Sequence, residues 1–455
     1  RDPSRMAEVL NRVIEKAIRG SAPAQINVPR DYWTQVIDIE LPPIVRLERQ
    51  GGGAEAIDKA AKLLSNAKFP VILSGAGVVI GGAIDETKKL AEKLDSPVCS
   101  GYQHNDSFPG SHPLAVGPLG YNGSKAAMEL ISKADVVLAL GTRLNPFSTL
   151  PGYGIDYWPK KASIIQVDIN PDRIGLTKKV TVGISGDAKL VAQQIFNKLS
   201  SNAGDTDRQK RKDLIHQTKS AWLQKLSSLD HEDDDEGTVW NKEARERDKD
   251  RMSPRQAWRA IQAGMPEDVI ISSDIGNNCA IGNAYPTFEK PRKYLAPGLF
   301  GPCGYGFPSI LGAKIGCPDT PVIGFAGDGA FGISMNEMSS CAREEWPAIT
   351  MVIFRNYQWG AEKRNTTLWF DNNFVGTELD PELSYAKVAD ACGLKGVTVR
   401  TMEETTSAIK QSCEDQKKGV TTFIEVILNQ ELGEPFRRDA MKKPVKVAGI
   451  DKKDM

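Results

Sequence analysis

Two apolar segments of this chain each end on a polar residue, and their spacing constrains the fold more than any other feature. Gly327-Asp328-Gly329 ends the first segment, and the second, residues 349–354, is followed by Asn356. Segments of this length separated by a helical stretch predict neighbouring parallel strands, so Asp328 and Asn356 should lie on adjacent strand ends. We expect the intervening helix to start near Ser334, with its first N–H groups facing an anion.

Both side chains offer a hard oxygen ligand. Mg²⁺ takes few protein ligands of this kind and completes its shell with phosphate oxygens and water. The glycines on either side of Asp328 let the backbone turn sharply and approach phosphate oxygens. The pattern therefore predicts a site for Mg²⁺ carrying a diphosphate group. The alternative is a tight turn with Asn356 in an unrelated loop, since Gly-Asp-Gly alone is common.

The spacing resembles the signature of the thiamine-diphosphate enzymes, in which Gly-Asp-Gly is followed at a set interval by Asn-Asn. The resemblance implies thiamine diphosphate as cofactor, with Asp328, the Asn356 side chain and the Gln358 carbonyl as Mg²⁺ ligands. The sequence departs from the family at Arg355, which replaces the first Asn of the pair. The resemblance also implies diphosphate contacts at Gly327, Gly329 and Ala330.

Two further segments resemble cofactor loops of this family. The predicted strand at residues 269–274 runs into Asn277-Asn278, where the family usually has Gln-His, which implies side-chain contacts to the diphosphate. The glycine-rich residues 298–308 precede a helix that we expect from Ser309. Here Gly301 matches the residue whose carbonyl receives the 4′-amino group of the cofactor. Cys303 matches the apolar residue that supports the bent cofactor, and it also fits a small buried hydrophobe.

The remaining pattern indicates an α/β protein with parallel-sheet domains and helices on both faces. At 455 residues the chain has room for about three domains of ~150 residues. Strands are expected at residues 70–74, 98–100, 135–140 and 163–168, with a closing helix at 188–199. We assign a central α/β domain to 41–200, a charged linker to 201–253, the diphosphate domain to 254–430 and a tail to 431–455. The acidic run at 231–236 lacks the alternation of an EF-hand loop, which favours a solvated linker.

The central segment resembles the central domain of these enzymes, which binds FAD in some members and nothing in others. Gly75-Ala-Gly77 is not a GxGxxG motif and has no acidic residue at the expected offset, so we interpret it as a turn. His112 matches a residue usually found before this proline, and we expect a structural role for it.

The first residues resemble the end of the family's pyrimidine-binding domain, to which we assign residues 1–40. Residues 4–19 read as an amphipathic helix and residues 23–29 as a short strand, although an independent arm is the alternative. The family's catalytic glutamate has no counterpart here, so the catalytic residues stay unknown and we expect this chain alone to be inactive. Because the family builds each site between two subunits, the resemblance implies a homodimer or homotetramer.

Composition and charge argue against nucleic acid and membranes as partners. The chain carries 58 basic and 58 acidic residues, and no basic block of nucleic-acid type stands out. No apolar run approaches the ~18 residues of a membrane span. Seven scattered cysteines without CxxC pairs fit reduced thiols, and we predict a cytoplasmic protein.

Three stretches outside these motifs, residues 341–347, 355–365 and 436–444, resemble the sulfoacetaldehyde acetyltransferases within this family. The implied reaction converts sulfoacetaldehyde and phosphate to acetyl phosphate and sulfite, without decarboxylation. An acetolactate-synthase-like enzyme acting on pyruvate shares every cofactor motif, and a non-catalytic truncated homologue is a further alternative. Both substrates of the implied reaction are anions, so cations should converge on the site. Candidates are Lys363, Arg364, Arg437 and Arg438, although such side chains often face solvent.

Overall fold

The computed structural model describes residues 2–20, 22–41, 43, 48–205, 207–228, 246–298, 300–343 and 345–432. Two six-stranded sheets organise these residues, and every pairing within them is parallel. This confirms the predicted α/β fold class. Among the described residues, no helix combines the length and apolar character needed to cross a membrane.

The first sheet has the strand order β3-β2-β1-β4-β5-β6. Its strands are β1 (Pro70–Ser74), β2 (Val98–Ser100), β3 (Ala115–Pro118), β4 (Val136–Leu140), β5 (Ser163–Asp168) and β6 (Val182–Ser185). The helices before, between and after them are α1 (Met6–Gly20), α2 (Ala54–Ser65), α3 (Ala76–Gly81), α4 (Ile84–Leu94), α5 (Lys125–Ile131), α6 (Ala188–Lys198) and α7 (Arg208–Ser228). β1 and β4 are buried along their whole length, as expected for parallel strands covered on both faces.

The second sheet has the order β11-β12-β10-β9-β7-β8. Its strands are β7 (Ile270–Ser273), β8 (Tyr294–Leu295), β9 (Val322–Gly327), β10 (Thr350–Arg355), β11 (Lys395–Val399) and β12 (Thr422–Ile427). Its helices are α8 (Pro254–Gly264), α9 (Asn277–Ile281), α10 (Gly306–Gly316), α11 (Asp328–Ser334), α12 (Met338–Cys341), α13 (Gly360–Trp369), α14 (Tyr385–Ala391) and α15 (Met402–Gln416). The carboxyl ends of β7, β9 and β10 lie side by side, and every cofactor segment identified in the sequence leaves the sheet at this edge.

Side-chain alternation along β10 explains why helices cover both faces of the second sheet. Val352 and Phe354 pack in one buried cluster with Trp258 of α8. Met351 and Ile353, which point the other way, pack in a second cluster with the aromatic side chains of α10, α11 and α14. A strand that is buried at every position and carries apolar side chains on both faces thus needs a helical layer on each side.

Three sequence expectations about secondary structure were wrong. The helix after Gly-Asp-Gly begins at Asp328 and ends at Ser334, because Gly327 is extended and serves as its N-cap while an acidic residue opens the first turn. Residues 23–29 form no strand, since no neighbouring strand pairs with them. The helix expected from Ser309 begins at Gly306. The sequence analysis also missed four strands, which are β3, β6, β8 and β11.

The charged segment assigned to a linker contains the 21-residue helix α7. Its buried residues recur at helical spacing, at Arg211, Ile215, Trp222 and Leu226, so they form one stripe that the charged composition conceals. The Arg211 guanidinium donates to the carbonyls of Asp95, Lys68 and Leu94 at 3.1, 2.9 and 2.9 Å, and also to that of Gly204. α7 is therefore part of the packed structure. The acidic run at 231–236 lies outside the described residues.

Gly75 and Gly77, which follow β1, lie where the backbone packs closely against Gly141. A Cβ on either glycine would approach the backbone of Gly141 to 2.6 Å. Gly75 is the N-cap of α3 and Gly77 lies in the first turn of that helix, so the two glycines let the junction of β1 and α3 pack against the end of β4. His112 packs edge-on against Phe108, and its Nε2 lies 3.2 Å from a Glu92 carboxylate oxygen, consistent with the structural role expected for it.

Candidate cofactor and metal site

Asp328 lies at the junction of β9 and α11 with only 1% of its surface exposed. Its Oδ1 accepts the N–H of Gly329 at 3.0 Å. Its Oδ2 accepts the N–H of Tyr357 at 2.7 Å and an Nη1 hydrogen of Arg355 at 3.1 Å. Burial raises the pKa of Asp328 to about 6, while the Arg355 charge and the Tyr357 N–H act in the opposite direction. The carboxylate is thus held in one orientation.

Asn356 and Gln358 follow β10 directly, beside Asp328. Phe354 of β10 pairs with Gly327 of β9, so the two strands end at the same level. Both polar side chains are buried, and Gln430 anchors the loop: it donates to the Asn356 carbonyl at 3.3 Å and accepts from the Gln358 amide at 3.1 Å. The structure therefore brings the three residues of the implied metal set together at one sheet edge.

The two glycines around Asp328 have different surroundings. A Cβ on Gly327 would meet nothing within 4 Å, whereas one on Gly329 would lie 2.9 Å from the indole ring of Trp359. Gly329 thus makes room for a protein side chain. Gly327 leaves space open beside the backbone, as a diphosphate cradle requires. Ala330 is buried in the first turn of α11.

Asn277 links three segments at the start of α9. Its Oδ1 accepts the hydroxyl of Tyr121 at 3.1 Å, and its Nδ2 donates to the carbonyl of Gly360 at 2.9 Å. These contacts fix the amide orientation and leave a second Nδ2 hydrogen for a ligand. The Oδ1 of Asn278 is buried without a hydrogen-bond partner among the described residues. An amide oxygen only accepts hydrogen bonds, so this atom can pair with a donor group of a ligand, whereas contact with a diphosphate requires the Nδ2 group of Asn278.

Asp274, at the end of β7, organises the glycine-rich loop. Its carboxylate accepts the N–H groups of Ile275, Gly304 and Gly306 at 2.7, 3.1 and 2.7 Å. Gly301 within this loop has a φ of +65°, a conformation that favours glycine. Cys303, which lies between Gly301 and Gly304 in the sequence, is half-buried, and burial raises the pKa of its thiol. Sequence reasoning missed Asp274, although an acidic residue at the end of a buried strand was an available signal.

The predicted cations are in unequal positions. Lys363 forms an ion pair with Glu378 and lies 3.4 Å from Oε1 of Gln430. Arg364 is 1% exposed, and its guanidinium carbon lies 4.8 Å from the centre of the Tyr121 ring. Arg437 and Arg438 lie outside the described residues. Tyr121, which belongs to the loop after β3, was not identified from the sequence.

The donor set and the open cradle fit Mg²⁺ with a diphosphate-bearing cofactor: one carboxylate, one amide, nearby carbonyl oxygens and accessible backbone. Comparison with known proteins agrees. Residues 57–195 match the family model described as thiamine pyrophosphate enzyme, central domain, and residues 274–426 match thiamine pyrophosphate enzyme, C-terminal TPP binding domain. The chain belongs to the thiamine-pyrophosphate enzymes.

Within that family, the chain is more similar to sulfoacetaldehyde acetyltransferases than to an acetolactate synthase subunit. It is 79% identical, over all 455 residues and 77% of the relative's length, to a probable sulfoacetaldehyde acetyltransferase of Rhizobium meliloti. It is 74% identical over its whole length to a sulfoacetaldehyde acetyltransferase of Roseovarius nubinhibens, covering 76% of that protein. A probable acetolactate synthase large subunit of Methanococcus aeolicus is 30% identical over 89% of this chain and 67% of its own length.

A solved structure supports the fold alone. The benzoylformate decarboxylase of Polynucleobacter necessarius superposes with a TM-score of 0.71 over 95% of this chain and 75% of that one. The two sequences are 19% identical.

Proposed function

We propose that this protein transfers an acetyl group from sulfoacetaldehyde to phosphate, forming acetyl phosphate and sulfite, with thiamine diphosphate and Mg²⁺. The observation that carries the proposal is the 79% identity over the whole chain to a probable sulfoacetaldehyde acetyltransferase. When bound, thiamine diphosphate supplies a carbon nucleophile and an electron sink for the two-carbon unit.

In this proposal, Asp328, the Asn356 side chain and the Gln358 carbonyl hold Mg²⁺. Asn277 and Asn278 hold the diphosphate together with the backbone of Gly327, Gly329 and Ala330. The Gly301 carbonyl would accept a hydrogen bond from the 4′-amino group of the cofactor, and the Cys303 side chain would pack against the cofactor. The contacts of Asp274 and Gln430 support these roles, because each fixes a loop that carries the proposed ligands.

The anionic substrates require a cation near the reacting end of the cofactor. Of the predicted candidates among the described residues, we favour Arg364, because its contact with the Tyr121 ring connects it to Asn277, a proposed cofactor ligand. Arg364 is buried against Tyr121 near the start of α13, close to Asn277. The planar guanidinium group matches two oxygens of a sulfonate or a phosphate better than an ammonium group does. Arg437 and Arg438 remain candidates from the sequence.

Action on pyruvate is the second candidate, supported by the 30% identity to a probable acetolactate synthase large subunit. The test is an assay of the protein in its full natural length with cofactor, Mg²⁺ and phosphate. Sulfoacetaldehyde should yield equal amounts of sulfite and acetyl phosphate, and the Asp328→Ala variant should yield neither. Carbon dioxide release from pyruvate, without sulfite from sulfoacetaldehyde, would favour the second candidate. No turnover of either substrate would favour a non-catalytic homologue.

We also propose a homodimer or homotetramer. Helix α1 leaves apolar side chains exposed along one face: Val9, Leu10, Ile14 and Ile18, at 37, 45, 49 and 71%. An exposed apolar stripe of this kind is typical of an interaction surface. Light scattering at micromolar concentration should give at least twice the monomer mass, and a fully active monomer would contradict the proposal.

A further inference from the structure

Arg355, which stands where the family has asparagine, is a fixed cation beside the proposed metal ligand. Its side chain is 1% exposed. Nη1 donates to Oδ2 of Asp328 at 3.1 Å, while Nη2 donates to the carbonyls of Leu383, at 3.0 Å, and Asp380. The guanidinium also lies over the Tyr357 ring, 4.3 Å from its centre. These contacts hold Arg355 from several sides, so an incoming ion cannot simply displace it.

A second buried carboxylate completes the arrangement. Oε1 of Glu425 lies 3.7 Å from Nε of Arg355. Glu425 is itself held by the hydroxyl of Ser384 at 2.7 Å and the N–H of Tyr385 at 3.2 Å. Tyr385 also contacts the proposed metal ligand, because its hydroxyl donates to the Asp328 carbonyl at 2.9 Å. Arg355 therefore sits between two carboxylates and neutralises part of the charge that a metal ion would use.

The charge of Arg355 affects a free divalent cation and a diphosphate-bound cation differently. A free divalent cation approaching Asp328 meets a guanidinium that stays in place, and like charges repel strongly in a buried site. A cation that arrives with a diphosphate brings its own negative charge, which offsets that repulsion. We propose that Arg355 is a positioning residue and built-in counter-ion that makes divalent-cation binding at Asp328 conditional on the diphosphate. The inference rests on the proposed role of Asp328 as a metal ligand.

The test uses Mn²⁺ as a probe, with free Mn²⁺ measured by electron paramagnetic resonance in solutions of the full-length apoprotein. Titrations are made with Mn²⁺ alone and with thiamine diphosphate present. The wild type should bind Mn²⁺ weakly alone and more tightly with the cofactor. Arg355→Met, which removes the charge, should raise the affinity for Mn²⁺ alone by roughly tenfold and shrink the enhancement by the cofactor. Arg355→Lys, which keeps the charge, should behave like the wild type.

Glu425→Gln provides a second variant with the opposite expectation, in case Arg355→Met does not fold. Removing the outer carboxylate leaves Arg355 less neutralised, so the affinity for Mn²⁺ alone should fall. The proposal is overturned if Arg355→Met leaves both affinities unchanged, if Arg355→Lys matches Arg355→Met, or if Glu425→Gln raises the affinity. Asp328→Asn distinguishes failure of the metal assignment from failure of the role proposed for Arg355. Cofactor-dependent Mn²⁺ binding that survives in this variant would overturn the metal assignment, whereas loss of binding there with an unresponsive Arg355→Met would overturn this inference alone.

Discussion

A methyl group at Gly327 should have opposite effects on the apoprotein and on cofactor binding. Gly327 has φ −70° and ψ 158°, which any residue can adopt, and a Cβ there meets no atom within 4 Å. Gly327→Ala therefore costs the folded apoprotein no contact. It also removes conformational freedom from the unfolded chain, which typically stabilises a protein by about 0.4–1 kcal/mol.

The same methyl would occupy the space through which a diphosphate reaches the backbone. Loss of one charge-assisted hydrogen bond costs about 1.5–3 kcal/mol, which corresponds to an affinity about 10- to 150-fold weaker. We therefore expect Gly327→Ala to melt slightly higher without cofactor and to bind thiamine diphosphate at least tenfold more weakly.

The assay is calorimetric titration of the full-length apoprotein with thiamine diphosphate at saturating Mg²⁺, together with thermal unfolding without cofactor. Gly329→Ala is the matched control, because its Cβ would lie 2.9 Å from the Trp359 ring and should destabilise the apoprotein itself. Unchanged cofactor affinity in Gly327→Ala would show that the diphosphate does not approach this glycine. A less stable apoprotein would refute the backbone argument.

Three further outcomes can be tested on the same protein. Tyr121→Phe removes the hydroxyl bound to Asn277 but keeps the ring, so cofactor affinity should fall a few-fold with the KM for sulfoacetaldehyde unchanged; the reverse pattern would contradict this. Burial raises the pKa of Asp106 above 3.8, so its ionisation destabilises the fold as the pH rises from about 4 through the raised pKa. Asp106→Asn lacks this titration, so the free energy of unfolding of the variant in urea, minus that of the wild type, should increase between pH 4 and pH 7. A difference that does not change with pH would contradict this prediction. Arg211→Met should lose about 3 kcal/mol or more, since several buried carbonyls lose their donor, while the exposed neighbour Lys210→Ala should change stability by less than about 0.5 kcal/mol.

Local pattern was enough to place the proposed metal residues at one sheet edge. Continuous apolar runs such as β9 and β10 predict buried parallel strands, and the carboxyl ends of neighbouring parallel strands meet at one edge. For this reason Asp328 and Asn356 could be paired although they are 28 positions apart in the sequence. The start of α11 was misplaced because an extended glycine can serve as an N-cap, which the local sequence does not distinguish from a continuing loop.

The sequence by itself determined the parallel-sheet class and supplied the residues that we propose for the diphosphate and the divalent cation, since these depend on short-range periodicity and on residue chemistry. Only the tertiary structure decided what surrounds them. The hydroxyl of Tyr121 reaches Asn277 across 156 residues of chain, and Glu425 approaches Arg355 from a separate strand. Such contacts arise where different strands and loops converge, and burial then determines whether a charge is paired. Neither the convergence nor the burial can be read from residues that are near each other in sequence.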